Sequence, residues 1–420
     1  MVAHSLSRSR PDEPRVAAAA FVAVALFLGA WTLLHVGFYT RHQVLDTPVY
    51  QHYGNLIADG QVPYRDFAVE YPPGALPMFA LPGLAKPGED QHVTRAFRHT
   101  FEALMWLCGA AAVLASAVVL RSVGAARLRL WTALGFAALA PLALGSVMLS
   151  RFDLWPTALM LGALASVVSD RFRLGSGLLG AAVSAKLFPA VLVPLGLVYA
   201  WRRRGRREAL VCLVIVVCVV AVVFAPFVAV APGGVWRSLR DQLTRPLQIE
   251  SLGSAMLLAA HHLWGFGIRM ETSHGSQNLA GHAPHVLAIV LSIVQAVAIV
   301  GVWIWFARGA ATRERFVRAS AAALVAFVAL GKVLSPQFLI WLVPLVPLVR
   351  GRRGLWASAL LGGALVFTQL WFPFRYLALV NEFDTTASTF VVVRDATLVL
   401  LLAVLLLPGR RGEVEHHASA

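Results

Sequence analysis

Apolar residues in this chain gather into long runs, and the polar residues between them are short clusters rich in arginine. The runs occupy residues 16–38, 100–120, 130–149, 154–169, 174–185, 187–199, 208–230, 286–307, 316–331, 337–349, 354–372 and 391–407. Each full run approaches the ~20 residues a helix needs to cross a bilayer, so the pattern predicts an all-α polytopic membrane protein with about 12 transmembrane helices. Two long stretches, 39–99 and 231–286, separate runs on one side. The first run follows Arg8, Arg10 and Arg15 and exceeds the ~7–15 residues of a cleavable signal core, so it reads as a retained helix.

Several runs are short, and a charge or a breaker stands between them. Arginines recur at Arg121/Arg127/Arg129, Arg171/Arg173, Arg202–Arg207, Arg308/Arg313/Arg315/Arg318, Arg350/Arg352/Arg353 and Arg410/Arg411, the distribution expected of cytoplasmic loops. Between Arg173 and Arg202 there are only 28 residues, with Lys186-Leu187-Phe188-Pro189 at their midpoint. A single tilted helix is one reading of that stretch. Two short helices forming a hairpin agree better with the proline and with arginines at both ends. The stretch from Arg318 to Arg350 repeats the arrangement around Gly331-Lys332-Val333-Leu334-Ser335-Pro336-Gln337, and Arg151 with Asp153 divides a third pair. Short hairpins reach only part of the bilayer depth, so their tips should line a cavity open to the outer face. The resulting organisation is a cytoplasmic tail at 1–15, one membrane domain at 16–408 and a second cytoplasmic tail at 409–420, in a multi-pass protein of the plasma membrane.

The 39–99 stretch is the first outer loop. After Asp46, Tyr50, Tyr53, Leu56 and Ile57 recur at helical spacing and predict an amphipathic interfacial helix; the apolar stretch 75–84 predicts a second interfacial or re-entrant segment. Asp46 then lies at the membrane boundary, where it also suits a helix N-cap. More than half of the 21 acidic residues, including Asp59, Asp66, Glu70, Glu89 and Asp90, fall in outer segments, which places the chemistry outside.

The net charge of +15 does not indicate nucleic-acid binding, because the arginines are divided among membrane-flanking loops. Only 3 of the 36 basic residues are lysines, and two of these, Lys186 and Lys332, are hairpin tips. A lone charge at bilayer depth costs ~2.5–3.5 kcal/mol, so each needs a partner such as a carboxylate or a phosphate. Cys108, Cys212 and Cys218 form no paired motif, and His261, His262, His274, His282 and His285 have no acidic neighbours suited to a metal, so neither a cofactor nor a metal is expected. A phosphate loop for ATP is missing from the sequence, as is a soluble domain for a nucleotide sugar.

Asp46 soon after the first helix, the block Gly60-Gln61-Val62-Pro63-Tyr64-Arg65-Asp66 and the block Glu70-Tyr71-Pro72-Pro73 resemble membrane glycosyltransferases of the GT-C class, specifically the polyprenol-phosphate-mannose-dependent glycosyltransferase family 87. Ser150-Arg151-Phe152-Asp153-Leu154-Trp155-Pro156, Ala185-Lys186-Leu187-Phe188-Pro189, Arg245-Pro246-Leu247-Gln248-Ile249-Glu250-Ser251 and Lys332-Val333-Leu334-Ser335-Pro336-Gln337-Phe338 are similar to further blocks, so the resemblance spans about residues 16–408. It implies a GT-C-like fold around an outward-facing cavity, transfer of a hexose from a polyprenyl phosphate to a glycolipid or glycan hydroxyl, and Asp46 as base. The same blocks supply Asp153, Glu250, Ser335 and Gln337 as candidates for sugar or acceptor binding.

Physical chemistry points the same way. A sugar phosphate releases a stable anion, so the site needs cations for the leaving phosphate and one carboxylate for the acceptor proton. Lys186, Lys332, Arg151 and Arg245 are the phosphate candidates; Asp46 is the first choice of base, with Asp66 and Glu70 behind it. Direct displacement inverts the anomeric centre. Tyr50, Tyr53, Tyr64, Tyr71 and Trp155 can pack on sugar faces or anchor the protein at the interface. The competing functions are a transporter or flippase of a lipid-linked sugar, which the paired lysine hairpins also suit, and a non-catalytic lipid-binding assembly subunit.

Overall fold

The computed structural model describes residues 13–41, 43–85 and 93–407. Arg8, Arg10, Lys86, Glu89, Asp90, Arg410, Arg411 and the 409–420 tail lie outside the described residues. The first half contains α1 (Glu13–Leu33), α2 (Thr47–Ala58), α3 (Pro77–Ala85), α4 (Arg95–Ser122), α5 (Arg127–Leu144), α6 (Ser146–Ser150), α7 (Leu154–Val168), α8 (Phe172–Ala185), α9 (Val193–Arg204) and α10 (Arg206–Val230). Then come α11 (Pro232–Leu243), α12 (Leu252–Trp264), an antiparallel hairpin of β1 (Arg269–Ser273) and β2 (Ser276–Ala280), α13 (His282–Arg308), α14 (Arg313–Ala329), α15 (Leu339–Leu342), α16 (Gly351–Trp371), α17 (Tyr376–Glu382) and α18 (Thr385–Leu406).

Seven of these helices, α1, α4, α5, α10, α13, α16 and α18, are long and apolar enough to cross a membrane. Their packing forms two connected groups. On one side α1 packs on α4 and α5, and α4, α7, α8 and α10 follow in succession; on the other α13, α14, α18 and α16 form a second succession. The central element is α14, whose alanines and Ser320 are almost wholly buried, because small residues let neighbouring helices approach closely. At the periphery, only 11% of the apolar window of α10 and 22% of that of α13 is buried. Helices apolar all round yet uncovered by protein face lipid.

Arginines of the clusters between the apolar runs converge on one end of the bundle. Arg121 pairs with Glu13, Arg313 donates to Asp170 at 2.5 Å, Arg350 meets the Val123 carbonyl and Glu314, and Arg353 caps the Leu407 carbonyl. These contacts tie the starts or ends of α1, α4, α8, α14, α16 and α18 together, leaving the other end to the loops that carry the candidate chemistry.

Several expected elements are reshaped. The run 16–38 starts earlier and stops at Leu33, since Gly37 takes φ +60° and the chain turns there. The run 130–149 breaks at Gly145, also in left-handed conformation, into α5 and α6. The expected helix 337–349 is a succession of short turns around α15, because Pro336, Pro344 and Pro347 withhold three backbone N–H groups. The stretch 231–286, expected only as an outer segment, contains α11, α12 and the β-hairpin. Its turn places His274 and Gly275 at φ +53° and +64°, the conformation that a two-residue hairpin turn favours.

Candidate active site

The tips of the three hairpins meet. Asp153, at the start of α7, accepts hydrogen bonds from Lys186 Nζ at 2.7 Å and from Trp341 Nε1 at 2.6 Å. Lys186 follows α8, and Trp341 belongs to α15, so one buried carboxylate joins all three. Trp341 stacks on Phe188 and Phe338 at 3.9 and 4.1 Å between centroids, and the Lys186 ammonium lies 4.9 Å from the Phe152 ring. The lysine charge is therefore both neutralised and wrapped in aromatic faces.

In front of this junction lies a cavity of about 580 Å³. Asp46, Glu70, Tyr71, Arg151, Lys186, Arg245, Glu250, Lys332, Ser335 and Gln337 all line it. These residues come from six separate parts of the chain. Asp46 holds the N-cap position of α2, but its carboxylate caps no backbone N–H; it forms an ion pair with Arg151. Arg151 itself is buried, with its Nε lacking a hydrogen-bond partner.

The segment carrying Arg245, Gln248 and Glu250 is held from three sides. Leu279 and Ile249 exchange backbone hydrogen bonds with Leu247 and Gln277, which adds this segment as an edge to the β-hairpin. The Gln248 N–H donates to the Lys332 carbonyl at 3.0 Å, and its side-chain amide donates to Ser335 at 3.1 Å. Arg394 of α18 donates to the Glu250 carbonyl at 2.5 Å. Burial pushes the Glu250 carboxyl up to about 7, against the opposing pull of Arg394, the Ser335 hydrogen bond and Arg151.

The four candidate cations are not equivalent. Arg151 and Lys186 are paired with Asp46 and Asp153. Lys332 donates to the Leu243 carbonyl at 2.9 Å and Arg245 to the His274 carbonyl at 2.7 Å, and no carboxylate forms an ion pair with either among the described residues. Those two are the cavity's cations whose direct partners are carbonyl oxygens, with Glu70 acting on Arg245 through space. Glu70 lies nearby with its pKa raised, chiefly by burial and further by Asp241, while Arg245 and His274 pull it down.

Four candidates lie elsewhere. Tyr50 is buried in a ring cluster with Phe79, Phe101 and Phe152, its hydroxyl 3.5 Å from Asp46 Oδ2. Tyr64 is buried and donates to the Tyr71 carbonyl at 2.6 Å, so it shapes the loop. Asp153 is fully enclosed behind Lys186. Asp66 accepts from the Val62 N–H and pairs with Arg65, contacts that hold its carboxyl down to about 2, and it stands outside the main cavity. Each fits the aromatic or acidic pattern, but periodicity marks a face without saying what that face meets. Tyr53 is likewise buried against Phe67 and Phe79, and Trp155 donates to the Gly74 carbonyl at 3.0 Å.

Sequence reasoning overlooked Trp341, Gln242, Gln248, Gln295 and Tyr376, all of which line the cavity. Gln248 lay inside a recognised block. The Arg394-Asp395 pair, buried within α18 directly behind Glu250, was a legible signal as well, because ionisable residues inside a spanning helix mark functional regions by default.

A bundle of spanning helices whose short hairpins bring acids and cations to one cavity defines a polytopic membrane protein with a polar site at one end of the bundle. The model for glycosyltransferase family 87 matches residues 69–336, more than half of the chain. The chain belongs to that family and is a membrane glycosyltransferase of GT-C type. No curated protein matches its sequence at a significant level.

Proposed function

We propose that the protein transfers a hexose, mannose in the first instance, from a polyprenyl phosphate to a hydroxyl of a glycolipid or glycan acceptor, with inversion at the anomeric carbon. The observation that carries this reading is the single cavity in which Asp46, ion-paired to Arg151, shares a wall with the unpaired cations Arg245 and Lys332. In the reaction the acceptor hydroxyl gives its proton to the Asp46 carboxylate as its oxygen bonds to the anomeric carbon. The bond from that carbon to the phosphate oxygen breaks, and polyprenyl phosphate leaves with the electron pair. Arg151 holds the Asp46 carboxylate in position at the cavity wall; Arg245 and Lys332 stabilise the charge growing on the phosphate.

Glu250, Ser335 and Gln337 are the groups assigned to sugar or acceptor hydroxyls. Lys186 and Asp153 set the positions of the tips. An apolar groove of about 500 Å³ begins at Pro73 and Gly74, next to Tyr71 and Pro72 of the main cavity, and continues past Leu76, Trp155 and Phe227. It offers a path for the first isoprene units. The donor contains its own leaving group, so the transfer needs no cofactor, and chelators should leave the rate unchanged. The site faces the outer side of the plasma membrane in this reading, with both termini in the cytoplasm.

The test is to incubate purified protein with radiolabelled polyprenyl-phosphate sugars and a panel of membrane lipids. Label moving into a product of inverted anomeric configuration supports the reading; no transfer from any polyprenyl phosphate refutes it.

A further inference from the structure

Beside the main cavity, a second one of about 360 Å³ opens between the 64–70 loop and α11. The two share Glu70, Gln242 and Arg245 as a common partition. Gln242 donates to the Glu70 carbonyl at 2.9 Å and so pins α11 to the loop across this partition. The character of the outer cavity differs from that of the groove beside Pro73. It contains Arg65, Asp66, Arg237, Asp241 and His274 as well as the partition residues. Arg237 and Asp241, one turn apart on α11, form no ion pair among the described residues although a helix allows one at that spacing. Both are exposed toward the cavity.

We infer that this outer cavity is the acceptor subsite, and that it holds the polyhydroxylated portion of a carbohydrate acceptor beyond the sugar that is attacked. This rests on the glycosyl-transfer reading above and names what the same site takes on its second side. Its size lies within the ~300–1,000 Å³ typical of small-molecule sites. Carboxylates accept from pairs of sugar hydroxyls, guanidiniums donate to ring and hydroxyl oxygens, and neither group on α11 is committed elsewhere. An acceptor threaded past Glu70 and Arg245 would present one hydroxyl to the main cavity while its remaining sugars contact Arg237 and Asp241. The lining sets the three carboxylates of Asp66, Glu70 and Asp241 against the three guanidiniums of Arg65, Arg237 and Arg245, a mixed-sign surface suited to neutral hydroxyls and without the excess of positive charge that a phosphate-rich acceptor calls for.

The experiment uses the full chain in lipid nanodiscs, a polyprenyl phosphate mannose donor and three acceptors: the octyl α-mannosides of one, two and three sugars. Wild-type kcat/KM should rise by roughly tenfold or more from one sugar to three, the gain expected of a few added charge-assisted hydrogen bonds. In Arg237→Gln and Asp241→Asn that gain should shrink, and in Ala68→Trp, which fills the cavity from its exposed rim, it should vanish. The gain is a ratio between acceptors on the same protein sample, so partial loss of folded protein cancels. A gain that survives all three substitutions, or a wild type that treats the three glycosides alike, overturns the subsite while leaving glycosyl transfer standing. A wild type that releases no sugar from the donor, even to water, overturns both.

Discussion

Lys186 and Lys332 occupy matching hairpin tips, but their surroundings assign them different tasks. Lys186 neutralises Asp153, whose side chain is 1% exposed. Breaking a buried pair by removing one member costs about 3–5 kcal/mol, so Lys186→Ala should lower the thermal midpoint strongly, as read by fluorescence melting in detergent. Lys332→Ala leaves no carboxylate stranded. It should melt near wild type and instead raise the donor KM by roughly ten- to hundredfold, the loss of one charge-assisted contact of about 1.5–3 kcal/mol. Glu250 adds a pH dependence. With its pKa pushed up to about 7, it is neutral below that pH and negative above it. A negative charge appearing beside the cavity repels an anionic donor, so the donor KM should climb as pH rises through 7. In Glu250→Gln it should stay flat across the same range. A wild-type KM that is independent of pH between 6 and 8 would contradict this assignment.

Among the elements, the 70–76 loop and α8 depend on an unusually close backbone approach. A Cβ added at Gly74 would lie 2.5–2.6 Å from the Ser184 carbonyl group, atoms that cannot swing aside. Gly74→Ala should therefore push the loop off α8, displace Glu70 and Tyr71 from the cavity wall, and cost about 1–3 kcal/mol of stability together with most of the activity. Circular dichroism melting and the transfer assay report the two effects separately. At this scale the sequence was partly legible. A charge with a proline between two short apolar runs announced the hairpins, because a helix can neither bury Lys186 midway nor continue through Pro189 with its bonding intact. The fold of 231–281 was not legible. The segment Leu247–Ile249 becomes an edge of the β-hairpin only through pairing with Gln277 and Leu279, a contact that no local pattern encodes. Likewise Tyr50 and Tyr53 recur at helical spacing as expected, yet the face they mark is covered by Phe79, which α3 supplies from elsewhere in the chain.

For the whole molecule, the arginine clusters that separate the apolar runs collect at one end of the bundle, and the mixed-charge cavity lies among the loops and hairpin tips. That polarity was legible from charge placement alone, since only membrane-flanking positions explain arginine clusters recurring between apolar runs. The site was legible as a set of residues more than as a geometry. Ten of the candidates share the cavity, whereas the ion pair that ties Asp46 to Arg151 joins positions more than a hundred residues apart and emerges only from the packing of α2 against the α6–α7 turn. The proposed transfer turns on that aspartate. Asn at this position keeps its size but cannot take a proton from an acceptor hydroxyl, and general-base catalysis contributes about 10²–10⁴ in rate. The decisive measurement compares wild type and Asp46→Asn for transfer from polyprenyl phosphate mannose and, in the same samples, for binding of that donor. With Asp46 as the base, transfer should fall at least about a hundredfold while donor binding is retained; a variant that still transfers at the wild-type rate would show that the proton goes elsewhere and that the cavity works by a different chemistry.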